Sequence, residues 1–271
     1  MLFYKFKKLL NLLDDKSFLE LGVIPWATPI LCFGDINKAK IATLGINPSD
    51  KEFLDNDLNV LINDNKRFYT IESLNINSWS NFNKDHYSAV KQSYESYFKI
   101  NPYDLWFKKL DYIISGSSKS YYFPSGEACH LDMIPFATFT KWSSVSQESK
   151  DLLLEKSLFV LADLLNSSNI NVLILNGTSV VRYLEKVSDC KFVEKEMYEW
   201  GIEQRNNKRV KGIAFSGSVN KLGEVCLKNR IKVIGFNHNI QSSYGVSKKI
   251  LNSIRKWITI EIENYEKSGV I

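Results

Sequence analysis

The sequence predicts an α/β fold of three layers, helix–sheet–helix, around a parallel sheet. Two observations carry that expectation. Short apolar runs each stop at polar turn residues, and segments with helical periodicity lie between them. Strand–helix–strand alternation joins parallel neighbours by crossovers and puts ligands at the carboxyl ends of the strands.

Taken in order, residues 1–10 mix lysines into an apolar face and read as an amphipathic helix, because a signal peptide needs an uninterrupted apolar region. This helix opens an N-terminal helical extension over residues 1–37. The first strand, 39–46, ends in Asn47-Pro48-Ser49-Asp50, and the second, 128–134, in Pro135. The third, 171–175, ends in Asn176-Gly177, and the fourth, 231–236, in Asn237-His238-Asn239. Their length, β-branching and polar stops favour strands over helices. Residues 151–166, 179–186 and 247–265 carry the helical pattern. The rhythm breaks over 188–219, where 197–204 and 209–215 flank a polar turn and read as an inserted antiparallel hairpin. With no internal repeat or low-complexity linker, residues 1–271 read as a single domain.

Composition narrows the class. Apolar residues at 44% and charged residues at 24% exclude a disordered or fibrous chain. The formal charge of +5 permits a polyanionic partner without requiring one. No run approaches the roughly 20 apolar residues of a membrane span. Cys32, Cys129, Cys190 and Cys226 are irregularly spaced and form no C-x-x-C pair, which argues against a zinc ribbon, an iron–sulfur cluster or a disulfide scaffold. A cytoplasmic monomer with reduced thiols, no metal and no cofactor is expected. The phosphate-binding and dinucleotide-binding glycine patterns are missing after the first strand, and so is a G-x-S-x-G elbow.

If the strands are parallel, Asn47, Asp50, Asp132, Asn176, His238, Asn239, Ser242 and Ser243 share one rim. Singly, most are explained by turn and capping chemistry, and His238 as a solvated loop histidine. Asp132 is harder to dismiss, since a carboxylate at an apolar strand end is costly without a partner or a task. Asn, Asp, His and Ser without a metal suit hydrolysis through a stabilised cation and leaving group, as in glycosidic cleavage.

The order and spacing of these segments, from about Lys38 to Lys256, resemble the uracil-DNA glycosylase superfamily. Gly45-Ile46-Asn47-Pro48-Ser49 is similar to motif 1 of its mismatch-specific branch. Leu175-Asn176-Gly177-Thr178-Ser179 resembles the segment after the family's third strand, and His238 to Ser243 occupy the place of motif 2, usually His-Pro-Ser or Asn-Pro-Ser. The resemblance implies a four-stranded parallel sheet in the order 2-1-3-4 and DNA as the partner. It implies that Asn47 orients the attacking water with Asp50 nearby, and that His238 stabilises the departing base. Ser49, Asn239, Gln241, Ser242 and Ser243 would contact the DNA backbone, and Tyr244 would wedge into the base stack. Phe68 is a candidate to stack on the flipped base, with a core phenylalanine as the equal alternative; Asn176 joins it in the base pocket. The missing motif 2 proline and the long aromatic segment 53–110 depart from the family pattern.

Family members usually read the pyrimidine edge with an asparagine at the end of the second strand, where this chain has Asp132. A carboxyl accepts from the cytosine amino group and, when protonated, donates to N3, whereas an ionised one mismatches uracil O4. A mismatched buried polar pair costs about 1–3 kcal/mol. The alternative is that His130 or another residue reads the base and Asp132 is structural. A modified cytosine foreign to the host, such as the glucosylated hydroxymethylcytosine of phage DNA, is the expected substrate, and antiviral defence the expected setting. The alternatives are a uracil/thymine mismatch repair glycosylase and a catalytically silent DNA-binding relative.

Overall fold

The computed structural model describes residues 2–100, 104–203, 209–241 and 245–268. Strands β1 (Ile41–Gly45), β2 (Ala128–Asp132) and β3 (Val172–Asn176) are the apolar runs of the sequence, and every residue of β2 and β3 is buried. Continuous apolar strands are what a parallel sheet covered on both faces demands. After them come β4 (Val193–Glu196), β5 (Ile202–Glu203), β6 (Arg209–Val210), β7 (Ile213–Leu222) and β8 (Val225–Phe236). The main sheet has the order β2-β1-β3-β8-β7-β4, with β5 and β6 paired separately. The pairs β1–β2, β1–β3 and β3–β8 are parallel, whereas β8–β7 and β7–β4 are antiparallel.

Among the described residues the sheet therefore has six strands and not the expected four. The chain read as an inserted hairpin instead extends the sheet through β7 and β4, and only β5 and β6 form a separate ribbon, on either side of residues outside the description. The reason lies in β8. Its first half, 225–230, offers only Val225 and Leu227, half-buried at alternate positions, before the exposed polar residues 228–230, which is too short a pattern to mark a strand. Yet it pairs with β7 back to a turn at Gly223, whose φ of +54° suits glycine.

The helices are α1 (Leu2–Leu12), α2 (Lys16–Leu19), α3 (Lys84–Ile100), α4 (Asp104–Ile114), α5 (Gln147–Ser167), α6 (Thr178–Val187) and α7 (Lys248–Lys267). Serine caps start the two longest: Ser146 Oγ accepts from Ser149 N at 3.1 Å, and Ser247 Oγ from Ile250 N at 3.3 Å. Helix α7 buries Ile250, Ile254, Ile258 and Ile262, one stripe at fourth positions. It packs on α4 and β8, while α5 packs on α1, β7 and β8. Most aromatics of the 53–110 segment sink into the core, among them Trp79, Phe82, Tyr94, Phe98 and Phe107. None of the described helices is long and apolar enough to cross a membrane.

This topology creates a site. β1 is flanked by β2 and β3, which the chain reaches by crossing to opposite sides of it. Open α/β sheets bind ligands at such a reversal, outside the carboxyl ends of the strands.

Candidate active site

A cleft of about 630 Å³ opens at that position. Its floor follows from strand register. Thr43 pairs with His130, and Gly45 with Asp132. Residues two apart in a strand share a face, so His130 and Asp132 stand side by side, both buried. His130 Nε2 lies 3.5 Å from Asp132 Oδ1, and its Nδ1 lies 2.7 Å from Thr43 Oγ1. Thr43 in turn shares a hydrogen bond with the Tyr121 hydroxyl. Trp106 and Phe107 meet the imidazole edge to face, with ring centroids at 5.2 and 5.4 Å. Position 45 must be glycine for this floor to form. A Cβ there would sit 2.9 Å from His130 Nε2 and closer still to Asp132 Oδ1.

The turn after β1 supplies one wall. Ser49 Oγ accepts from Lys51 N at 3.2 Å and starts a single 3₁₀ turn, Asp50–Glu52. That turn carries Glu52 inward, to 2% exposure on the cleft lining. The Tyr97 hydroxyl faces both Glu52 carboxylate oxygens, at 3.0 and 2.9 Å, and Arg67 Nη1 lies 3.7 Å from Oε2. Burial pushes the Glu52 carboxyl up to about 7; Arg67 and the Tyr97 hydrogen bond oppose the rise, and the charge of Asp132 adds to it. Asp50, half-buried at the lining, accepts from Ser49 Oγ and Lys51 N, each at 3.0 Å.

Asn47 also lines the cleft. Its amide nitrogen donates to Pro48 O at 3.1 Å and Thr138 Oγ1 at 3.2 Å. Asn176 and Asn239 close the far side. Asn176 Oδ1 accepts from Ile240 N at 3.1 Å and its Nδ2 donates to Gln241 Oε1, so the end of β3 holds the loop after β8. Gly177, at φ +99°, lets that loop pass, since a Cβ would come 3.2 Å from Asn239 Cβ.

Of the residues singled out in the sequence, the cleft brings together Asn47, Ser49, Asp50, Asp132, Asn176 and Asn239. Three expectations need correction. Phe68 does not line the cleft; it is 1% exposed, stacked on Tyr97 at 5.3 Å and edge-on to Phe33 at 5.4 Å, because the aromatic signal there belongs to the core. His238 does not line it either. The ring is buried with Nε2 2.7 Å from Trp200 O, and burial holds its pKa below the ordinary histidine value, although that hydrogen bond opposes the shift. Gln241 does not face outward to a phosphate: its amide accepts from Asn176 and donates to Trp106 O at 3.4 Å. Ser242, Ser243 and Tyr244 lie outside the described residues.

Sequence reasoning missed Glu52, Phe139, Trp142, Lys51 and Lys141, all on the lining, whereas Trp106, also on it, belongs to the aromatic segment 53–110 already marked in the sequence. Phe139 is 54% exposed at the cleft. The Trp142 indole nitrogen is buried with no hydrogen-bond partner among the described residues. No three His, Cys, Asp or Glu side chains among the described residues are grouped to hold a metal ion. Compared with known proteins, the chain matches no family model and no curated protein.

Proposed function

We propose that the protein is a monofunctional DNA glycosylase of the uracil-DNA glycosylase superfamily, with that family's three-layer arrangement. In this reading it flips a modified cytosine into the strand-end cleft and hydrolyses its N-glycosidic bond, leaving an abasic site. One observation carries the reading: Asn47, Asp132, Asn176 and Asn239, each at or just after the end of a different parallel strand, line a single cleft.

The chemistry is assigned to the residues on the lining. With its nitrogen engaged by Pro48 and Thr138, Asn47 has its carbonyl oxygen left to orient a water toward C1′, and Asp50 takes the proton that water loses. Asp132 accepts from the exocyclic amino group. Asn239, not His238, is the motif 2 side chain beside the base, which corresponds to the Asn-Pro-Ser form. Trp106 replaces Phe68 as the ring that stacks on the flipped base, and Phe139 is the exposed aromatic suited to fill the vacated stack. The cleft volume is within the range of sites that enclose whole small ligands, which favours a base with a bulky substituent. Such bases occur in phage DNA, so defence in the bacterial cytoplasm is the setting that fits.

The test is base release from otherwise identical DNAs carrying cytosine, 5-hydroxymethylcytosine, its glucosylated form or uracil, read as alkali-labile sites. Release confined to the modified cytosines is expected. Release of uracil alone would establish the repair reading instead, and binding without any abasic site would establish a silent relative.

A further inference from the structure

We infer that Glu52 is the general acid of the cleft, the carboxyl that protonates the departing base. The inference rests on the glycosylase reading and adds a step to it. A cytosine-type base leaves poorly as an anion, because its amino-substituted ring spreads negative charge less well than the two carbonyls of uracil. It therefore needs a proton as the bond to C1′ breaks. The histidine expected to stabilise an anionic base is occupied elsewhere, on Trp200 O. His130 is the histidine on the lining, and it is held between Thr43 and Asp132. Glu52 is the cleft carboxyl built to hold and release a proton. It is buried on the lining, gripped by the Tyr97 hydroxyl, with Arg67 on one side and Asp132 acting on it from the cleft floor.

Two carboxyls then divide the work. Asp132 accepts from the amino group, and its negative charge favours a proton on Glu52. The upward shift to about 7 leaves a substantial fraction of Glu52 protonated at neutral pH. In the step itself the C1′–N1 electron pair passes to the base while the Glu52 proton moves to N3, so the base departs neutral. Glu52 becomes a carboxylate held by Tyr97 and Arg67. Water adds its oxygen to C1′ and gives one proton to Asp50, and solvent returns a proton to Glu52.

The experiment is single-turnover base release across pH, on the modified-cytosine DNA that the wild type cleaves, for the wild type, Glu52→Gln and Tyr97→Phe. DNA affinity and thermal melting are recorded beside it. The wild-type rate should fall as pH rises through about 7, because only the protonated acid acts. Glu52→Gln keeps the shape and should lose about 10²–10⁴-fold in rate together with that pH limb, while binding DNA as before. Tyr97→Phe removes a donor to the carboxylate, so its limb should move to higher pH; this variant decides the matter if Glu52→Gln melts early. A Glu52→Gln enzyme that matches the wild-type rate or keeps the limb overturns the inference while leaving the glycosylase reading intact, and so does an unmoved limb in Tyr97→Phe. A wild type that releases no base from any of the DNAs overturns both.

Discussion

A carboxyl that binds its proton more tightly when folded makes stability depend on pH even where no substrate is present. Glu52 moves from an ordinary 4.5 to about 7 on folding. Between those values the native state holds more protons than the unfolded one, so this contribution to stability falls as pH rises and is fully lost above about 7. The shift corresponds to about 3 kcal/mol of penalty for the buried charge on the alkaline side. Urea unfolding should therefore show the wild type losing ground to Glu52→Gln between pH 5 and pH 8, and parallel stability profiles would rule the buried acid out. Gly45 gives a second expectation at this scale. Gly45→Ala should leave β1 in place but push Asp132 and His130 aside, at about 1–3 kcal/mol of overpacking, and base release should drop. A variant as active as the wild type would show that the Asp132 position is immaterial. Asn47 and Asp132 were legible in the sequence because each interrupts an apolar run at its end. Glu52 was not, because it sits in a Ser-Asp-Lys-Glu run that reads as a solvated turn until Tyr97 arrives from α3 to bury it.

Among the elements, the loop after β8 is the one whose role changed most between sequence and structure. Asn237 pins it to the hairpin, accepting from Ile213 N at 2.8 Å and donating to Lys211 O at 2.7 Å. His238 ties it to Trp200, whose indole meets Trp257 of α7 edge to face at 5.5 Å. Asn176 holds its other end. The histidine is thus a strut, and His238→Ala should cost about 1–3 kcal/mol by leaving the Trp200 carbonyl unpaired. The unfolded histidine protonates near its ordinary value and the buried one only at lower pH, so the strut contributes stability above that value and loses it as pH falls through the lowered folded pKa. His238→Ala should lack this acid-side loss in melts recorded between about pH 7 and pH 5; an unchanged slope there would mean that the ring is not buried in solution. The sequence placed the four parallel strands because their apolar runs are continuous. It read the start of β7 as an inserted hairpin and missed the rest of β7 and the outer half of β8, because ladder hydrogen bonds, which any sequence can make, hold those residues where apolar alternation is too short to mark them.

Over the whole molecule, a sheet whose order reverses at β1 gathers into one cleft side chains that are spread along most of the chain. The convergence was legible only as far as topology could be inferred from alternation, and the cleft walls from Phe139 and Trp142 were not, since tertiary packing alone decides which aromatics remain at a surface. Charge adds a consequence at this scale. A net +5 is too small to hold DNA by bulk attraction, so affinity has to come from cations placed where the strand passes. Lys51 and Lys141 lie on the cleft lining, and Lys141 is exposed. A lysine that neutralises one phosphate releases condensed counterions, which gives each such contact a slope of about −0.9 in log affinity against log salt. Lys141→Ala should therefore weaken binding to modified and unmodified DNA alike and flatten the salt dependence by about one unit, because phosphates carry no base identity. Binding titrations from low to physiological salt measure this. An affinity loss restricted to modified DNA would move Lys141 from the backbone to the base substituent, and an unchanged slope would place the DNA path away from this side of the cleft.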